Sequence, residues 1–165
     1  MTSNETDEFE SEAKRRRYEW GTAKFAFDVL ASDKIGPRRN LPPAHHHLCE
    51  SVPWAIKLRA SIVIIYHNEA LSVLIRMLNS IFDRTPSHLI EEIILYDDCS
   101  DYDTLLVNHI NSYGKHVQWP MQKIVTRRSE QRLGLIKAKV RLRIMRDNQF
   151  ITFLDDPRFR YKLAP

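Results

Sequence analysis

The sequence predicts an α/β fold built around a mostly parallel sheet. Four short apolar runs lie between segments of helical periodicity, and two of these runs end at paired aspartates. Apolar runs without polar alternation are typical of strands buried on both faces. Strands that alternate with helices pair in parallel through right-handed crossovers. At 165 residues, the chain corresponds to one domain that is long enough to bury a core.

Two segments precede the predicted domain. Residues 1–18 are acidic and then basic, with no apolar periodicity, and we expect a disordered tail. Residues 19–58 form a loop-rich arm punctuated by glycine and proline. The run from His45 to His47 in this arm could bind a transition metal. We favour a polar loop, because adjacent side chains diverge and no Cys or Asp lies nearby at ligand spacing.

The first strand and helix lie in the segment that follows the arm. Ala60–Tyr66 is a near-continuous apolar run, and it ends in the polar residues His67 to Glu69. Apolar residues then recur three and four positions apart between Leu71 and Phe82, which predicts an amphipathic helix. Pro86 ends this helix.

The second strand ends in two carboxylates, Asp97 and Asp98. Ligands bind at the carboxyl edge of open α/β sheets, so these residues indicate a site. Asp101 is the predicted N-cap of the next helix, and Gly114 is its predicted end. The apolar residues of this helix are Leu105, Leu106, Ile110 and Tyr113.

Two further strands complete the predicted sheet. One is short, at Ile124 and Val125, and the other spans residues 150–154 and ends at Asp155 and Asp156. Two Asp pairs at equivalent strand ends suit a nucleotide held with a divalent cation, because hard cations prefer carboxylate oxygens. Helix capping or a solvated turn is the alternative for each pair.

The segment 135–148 between the last two strands fits two interpretations. Its apolar and basic residues alternate, as in a strand, yet Ile136, Val140 and Ile144 also share a helical face. Its position between two strands favours a helix. The basic residues from Lys123 to Arg146 suggest an alternative function as a module that binds a polyanion. No stacking aromatics accompany them, and we expect no nucleic-acid partner.

Several blocks of this sequence resemble the polypeptide N-acetylgalactosaminyltransferases. The resemblance lies in the ordered blocks 61–70, 84–95 and 97–98, in Arg132 with Gly134–Ile136, and in Thr152–Asp155. Residues 59–156 are accordingly identified as the N-terminal half of a nucleotide-diphospho-sugar transferase domain of the GT-A, Rossmann-like type. Residues 157–165 show no such resemblance and form a separate C-terminal tail.

The resemblance implies binding of UDP-N-acetylgalactosamine and transfer of its sugar to Ser or Thr hydroxyls of polypeptides. In that family, the positions of Ile65 and Tyr66 support the uridine. The position of Asp98 contacts the base or ribose, and that of Arg132 contacts the uracil. The resemblance also implies a Golgi location, although the sequence contains no export signal and no apolar run of the ~20 residues that a membrane span needs.

The metal-binding motif of that family is only partly present. Its Asp-x-His binds Mn²⁺, and Asp155 matches the aspartate, but Pro157 replaces the histidine and has no donor atom for a metal. Together with the absence of the family's later blocks, this change suggests a truncated, inactive member with a partial UDP pocket. An active transferase whose sequence is incomplete or misread after Asp155 is the alternative.

Four other positions depart from the family pattern or lack a partner. Leu133 stands where a glutamate is usual. Leu142 and Arg143 replace a Gly-Ala pair on a helix that packs on the sheet, which predicts overpacking. Cys49 resembles a cysteine whose partner lies in a later part of the family's domain, and we expect it to be unpaired.

Overall fold

The computed structural model describes residues 3–40, 42, 47–48, 59–102, 105–144 and 151–154, with the backbone alone at 3–10, 144 and 151–154. The helices are α1 (Ser3–Phe25), α2 (Val29–Ile35), α3 (Leu71–Arg84), α4 (Val107–His116) and α5 (Leu135–Ile144). The strands are β1 (Ala60–Tyr66), β2 (Ile90–Asp97), β3 (Ile124–Arg128) and β4 (Ile151–Leu154). His45, His46, Cys49 and the segment 155–165 lie outside the described residues.

The four strands form one sheet in the order β3-β2-β1-β4. All three neighbouring pairs are parallel, with Tyr66 opposite Asp97 and Asp97 opposite Arg128. The predicted α/β fold with a parallel sheet is therefore confirmed. Parallel pairing brings the carboxyl ends of β1, β2 and β3 to one edge of the sheet.

Helices cover both faces of this sheet. On one face, α3 and α4 bury Leu74, Leu78 and Ile110 against strand residues such as Ile64 and Leu95. On the other face, α5 packs on the neighbouring strand positions, which are Val63, Ile65, Ile94 and Tyr96. Successive strand residues point to opposite faces, so strands covered on both sides must be apolar throughout. This requirement explains the uninterrupted apolar runs.

The N-terminal segment differs from the prediction. Residues 1–18 were expected to be disordered, but helix α1 covers Ser3–Phe25. Pairs of opposite charge one turn apart support it, with Arg16 bound to Glu12 and Arg15 near Glu19. Charge composition alone indicated disorder because it ignores this helical spacing.

The arm packs onto α3 through side chains of that helix. The Arg76 guanidinium donates to the carbonyl oxygens of Ser32 and Gly36 at 3.0 and 2.8 Å. Asn79 donates to the carbonyl oxygen of Pro37 at 2.8 Å. Partial burial lowers the pKa of Arg76. These contacts hold the end of α2 and the following loop against the helix.

The boundaries predicted for α4 are wrong at both ends. The helix begins at Val107, after Leu106 as N-cap, and Asp101 lies outside it. Gly114 is inside the helix, and a Cβ there would lie 2.6 Å from ring carbon Cε3 of Trp119. The glycine is thus required for close packing rather than for ending the helix.

Helix α5 confirms the helical interpretation of its segment. Ile136 and Val140 are 78% and 55% exposed, whereas Ala138 and Leu142 are buried against the sheet. The described helices include none that is long and apolar enough to cross a membrane.

Replacing Leu142 with Ala tests whether this position is overpacked. Leu142 is 2% exposed and contacts the cluster that contains Val63 and Ile65. If the side chain fills its site without strain, truncation lowers the free energy of unfolding by about 2–5 kcal/mol. Val140→Ala, on the exposed side of the same helix, is the matched control and should change it by less than about 0.5 kcal/mol. Denaturant titration measures both, and a more stable Leu142→Ala protein would show overpacking instead.

Candidate functional site

Three loops meet at the carboxyl edge of the sheet, where the sequence predicted a site. They follow β1, β2 and β3 and comprise residues 67–70, 98–101 and 129–134. Four of the five predicted site residues lie in or beside these loops, namely Ile65, Tyr66, Asp98 and Arg132. The fifth, Asp155, lies outside the described residues, as does Pro157.

Asp98 joins the loop after β2 to the start of α5. Its Oδ1 accepts a hydrogen bond from the backbone N–H of Leu133, and its Oδ2 accepts one from that of Gly134, both at 2.8 Å. Its own backbone N–H donates to the carbonyl oxygen of Tyr66 at 2.8 Å. The residue is only 3% exposed. Asp98 therefore satisfies donors at the α5 N-terminus and anchors the loop that contains Arg132.

The other predicted residues differ sharply in their exposure. Arg132 is exposed on the anchored loop, so its guanidinium is accessible from solvent. Ile65 and Tyr66 are 7% and 3% exposed, and they pack on opposite faces of the sheet. Burial raises the pKa of the Tyr66 phenol, and the negative charge of Asp97 raises it further, so the phenol stays neutral. These two residues support the edge from beneath, and Arg132 projects from it.

An ion pair between the buried Asp97 and the more exposed Arg128, which the sequence analysis did not predict, lies beside Asp98. Asp97 is 2% exposed; its Oδ2 accepts from the Arg128 guanidinium, and its Oδ1 accepts from the backbone N–H of Ser100 at 2.7 Å. Arg128 also donates to the carbonyl oxygen of Ser100 at 2.6 Å. The sequence does contain a signal for this pair, because β2 ends at Asp97 and β3 ends at Arg128. The signal can be used only once the two strands are known to be neighbours.

The loops after β1 and β2 are also joined directly, through Asn68. This asparagine exchanges two hydrogen bonds with Asp101, and its backbone N–H donates a third to Ser100 Oγ. His67 Nδ1 lies 3.0 Å from the carbonyl oxygen of Asp98. A carbonyl can only accept, so Nδ1 carries the proton in this contact. Asn68 and His67 were also not predicted as site residues.

The described residues do not provide a metal centre. No group of three or more His, Cys, Asp or Glu side chains suited to a cation occurs among them. The carboxylates of Asp97 and Asp98 already accept hydrogen bonds from a guanidinium and from backbone amides. A divalent cation at the Asp97–Asp98 pair, one sequence-based interpretation, does not fit this geometry.

Comparison with known proteins places this edge in a family context. The family model described as glycosyl transferase family 2 matches residues 61–156, more than half of the chain. The chain belongs to that family. This match begins within β1 and continues past β4, so it includes all three loops of the site. Among the curated proteins, the chain is similar to polypeptide N-acetylgalactosaminyltransferases.

Two relatives illustrate the similarity and its extent. Probable N-acetylgalactosaminyltransferase 8 of Caenorhabditis elegans is 41% identical over 88% of this chain and 34% of its own length. Human polypeptide N-acetylgalactosaminyltransferase 13 is 38% identical over 78% of this chain and 23% of its own length. The chain thus spans about a third or less of the curated relatives it matches.

A solved structure supports the fold assignment. The crystal structure of GalNAc-T7 with UDP, GalNAc and Mn²⁺ superposes with a TM-score of 0.71 at 27% identity. The superposition covers 86% of this chain and 26% of that chain. The predicted family resemblance and the GT-A glycosyltransferase fold are both confirmed.

Replacing Asp98 with Asn should release the loop that contains Arg132. An amide has one acceptor oxygen, so its NH₂ group would face the N–H of Leu133 or Gly134. Losing one buried hydrogen bond costs about 1–3 kcal/mol, and the two amide hydrogens should exchange about tenfold faster or more. Glu130→Gln, an equivalent change at an exposed position of the same loop, is the control. Unchanged exchange in Asp98→Asn would contradict this role for the carboxylate.

Proposed function

We propose that this chain binds the UDP part of a UDP-sugar at the edge formed by the loops after β1, β2 and β3. The observation that supports this proposal most directly is the anchoring of the 132–134 segment by Asp98, which presents an exposed arginine at a carboxyl edge. Carboxyl edges of parallel sheets are where nucleotides bind in open α/β folds. The family membership and the UDP in the GalNAc-T7 crystal are consistent with it.

In this proposal the site residues have distinct roles. The Arg132 guanidinium contacts the uracil carbonyl oxygens as a donor, because it is exposed and always charged. Ile65 and Tyr66 form the support beneath the uridine. Direct contact of Asp98 with base or ribose stays a prediction, and its two amide contacts leave further acceptor capacity on both oxygens.

The sugar and acceptor follow from the relatives. We infer that the nucleotide-sugar is UDP-N-acetylgalactosamine and that Ser/Thr-containing polypeptides are the acceptors in the complete protein, because its relatives are polypeptide N-acetylgalactosaminyltransferases. The same kinship leads us to propose a Golgi location.

We propose that UDP binding by this chain does not depend on Mn²⁺ and that the chain does not catalyse transfer. Pro157 contributes no ligand atom at the position that the family's Asp-x-His gives to histidine. A bound divalent cation would offset the charge on the departing diphosphate. With proline instead of histidine at position 157, we expect this stabilisation to be lost. The alternative, an active transferase whose sequence is misread after Asp155, predicts metal-dependent binding.

Calorimetry with UDP tests the nucleotide site. We expect weak binding that is unchanged by Mn²⁺, and loss of about tenfold or more in affinity for Arg132→Ala, since a charged hydrogen bond is worth about 1.5–3 kcal/mol. Arg84→Ala, an exposed arginine at the C-terminal end of α3, is the matched control and should bind like the original chain. Equal affinity of the Arg132→Ala protein would contradict the proposed role.

Restoring a ligand at position 157 tests the metal proposal. Pro157→His supplies an imidazole two residues after Asp155, so Mn²⁺ should increase the UDP affinity of this variant. Pro157→Ala removes the proline without adding a ligand and should remain insensitive to Mn²⁺. If Mn²⁺ already strengthens UDP binding by the original chain, the proline does not abolish metal use.

A further inference from the structure

We propose that Asn68 is the positioning residue of the nucleotide edge. It holds the loop after β2 against the loop after β1, and through Asp98 it fixes the segment that contains Arg132. The link to nucleotide affinity rests on the proposed function, whereas the link between the loops does not.

The backbone of Asn68 makes this arrangement possible. Its φ is 48°, in the left-handed region that Asn and Asp tolerate better than other residues with a side chain. In this conformation the backbone N–H donates to Ser100 Oγ at 2.9 Å. The turn thus directs both the backbone and the side chain of Asn68 at the neighbouring loop.

The side chain matches Asp101 at two points. Asn68 Oδ1 accepts from the backbone N–H of Asp101, and Asn68 Nδ2 donates to Asp101 Oδ2, both at 2.8 Å. One group must accept and the other must donate, which a carboxamide of this length does and a carboxylate does not. The chemistry at this position therefore requires an amide rather than any polar group.

The loop that Asn68 holds contains Asp98, whose side chain contacts the segment that contains Arg132. His67 contacts the carbonyl oxygen of Asp98 at 3.0 Å, next to the contacts of Asn68 with Ser100 and Asp101. The Asp98 carboxylate then accepts from the amides of Leu133 and Gly134. A displacement of the loop after β2 would accordingly move the acceptor that anchors the arginine-containing segment.

Asn68→Asp is the sharpest variant, because Asp has nearly the same size and also tolerates a left-handed backbone. It replaces Nδ2 with an oxygen, so two carboxylate oxygens meet where a hydrogen bond existed, and like charges repel. Asn68→Asp combined with Asp101→Asn exchanges the two roles: the carboxylate at 68 accepts, and the amide at 101 donates. The double variant should therefore repair the single one.

Two measurements made at one fixed pH test the proposal. Exchange of the Asp101, Leu133 and Gly134 amide hydrogens should be about tenfold faster in Asn68→Asp, with UDP affinity lowered by a similar factor. Both values should return to within about threefold of the original in the double variant. Asn40→Asp, the same change at an exposed position of the arm, should alter neither.

The outcomes separate the two proposals. Unchanged exchange in Asn68→Asp, or a double variant no better than the single one, overturns the positioning role. Absence of UDP binding by the original chain overturns the proposed function, and amide exchange then decides the role of Asn68 alone. If Asn68→Asp does not fold, Ser100→Ala replaces it, because it removes only the acceptor of the Asn68 N–H. Faster exchange at Leu133 and Gly134 supports the role, and unchanged exchange there refutes it.

Discussion

The Asp98 carboxylate is the contact on which the arrangement of the site loops depends, because it joins the loop after β2 to the segment before α5. It is buried, so its charge requires strong local donors, and the two amides at the start of α5 supply them. The positive end of the helix dipole adds to the same interaction. On α5 itself, Ala138 and Leu142 are buried against the sheet, and Ile136 and Val140 are exposed.

The adjacent Asp97 also joins two elements of the edge, because it binds Arg128 at the end of β3. Successive residues at a strand end point in opposite directions, so one Asp-Asp pair can serve two partners. Asp98 binds the start of α5, while Asp97 binds Arg128 at the end of β3. Removing Arg128 would leave the buried Asp97 charge without its ion-pair partner, which is more costly than losing an ion pair between two exposed residues. The pair therefore acts as an anchor between elements that are distant in sequence.

The sequence predicted the elements of this fold better than the contacts of its site. Continuous apolar runs identified β1 and β2 because burial on both faces leaves a pattern that is local in the chain. The partners of Asp98 are 35 and 36 positions away, and no local pattern records them. The start of α4 was misplaced for a related reason: Asp101 has the composition of an N-cap, but tertiary contact with Asn68 uses it instead.

If the edge binds UDP as we propose, these contacts explain how an edge rich in aspartate can accommodate the diphosphate. Free carboxylates would repel phosphate groups at close range. Here the charge of Asp97 is offset by Arg128, and that of Asp98 by two backbone amides, before any ligand arrives. The exposed Arg132 then adds positive charge on the anchored segment. Because the donors are held in place by the fold, a nucleotide would meet a preorganised surface rather than one that it must rearrange.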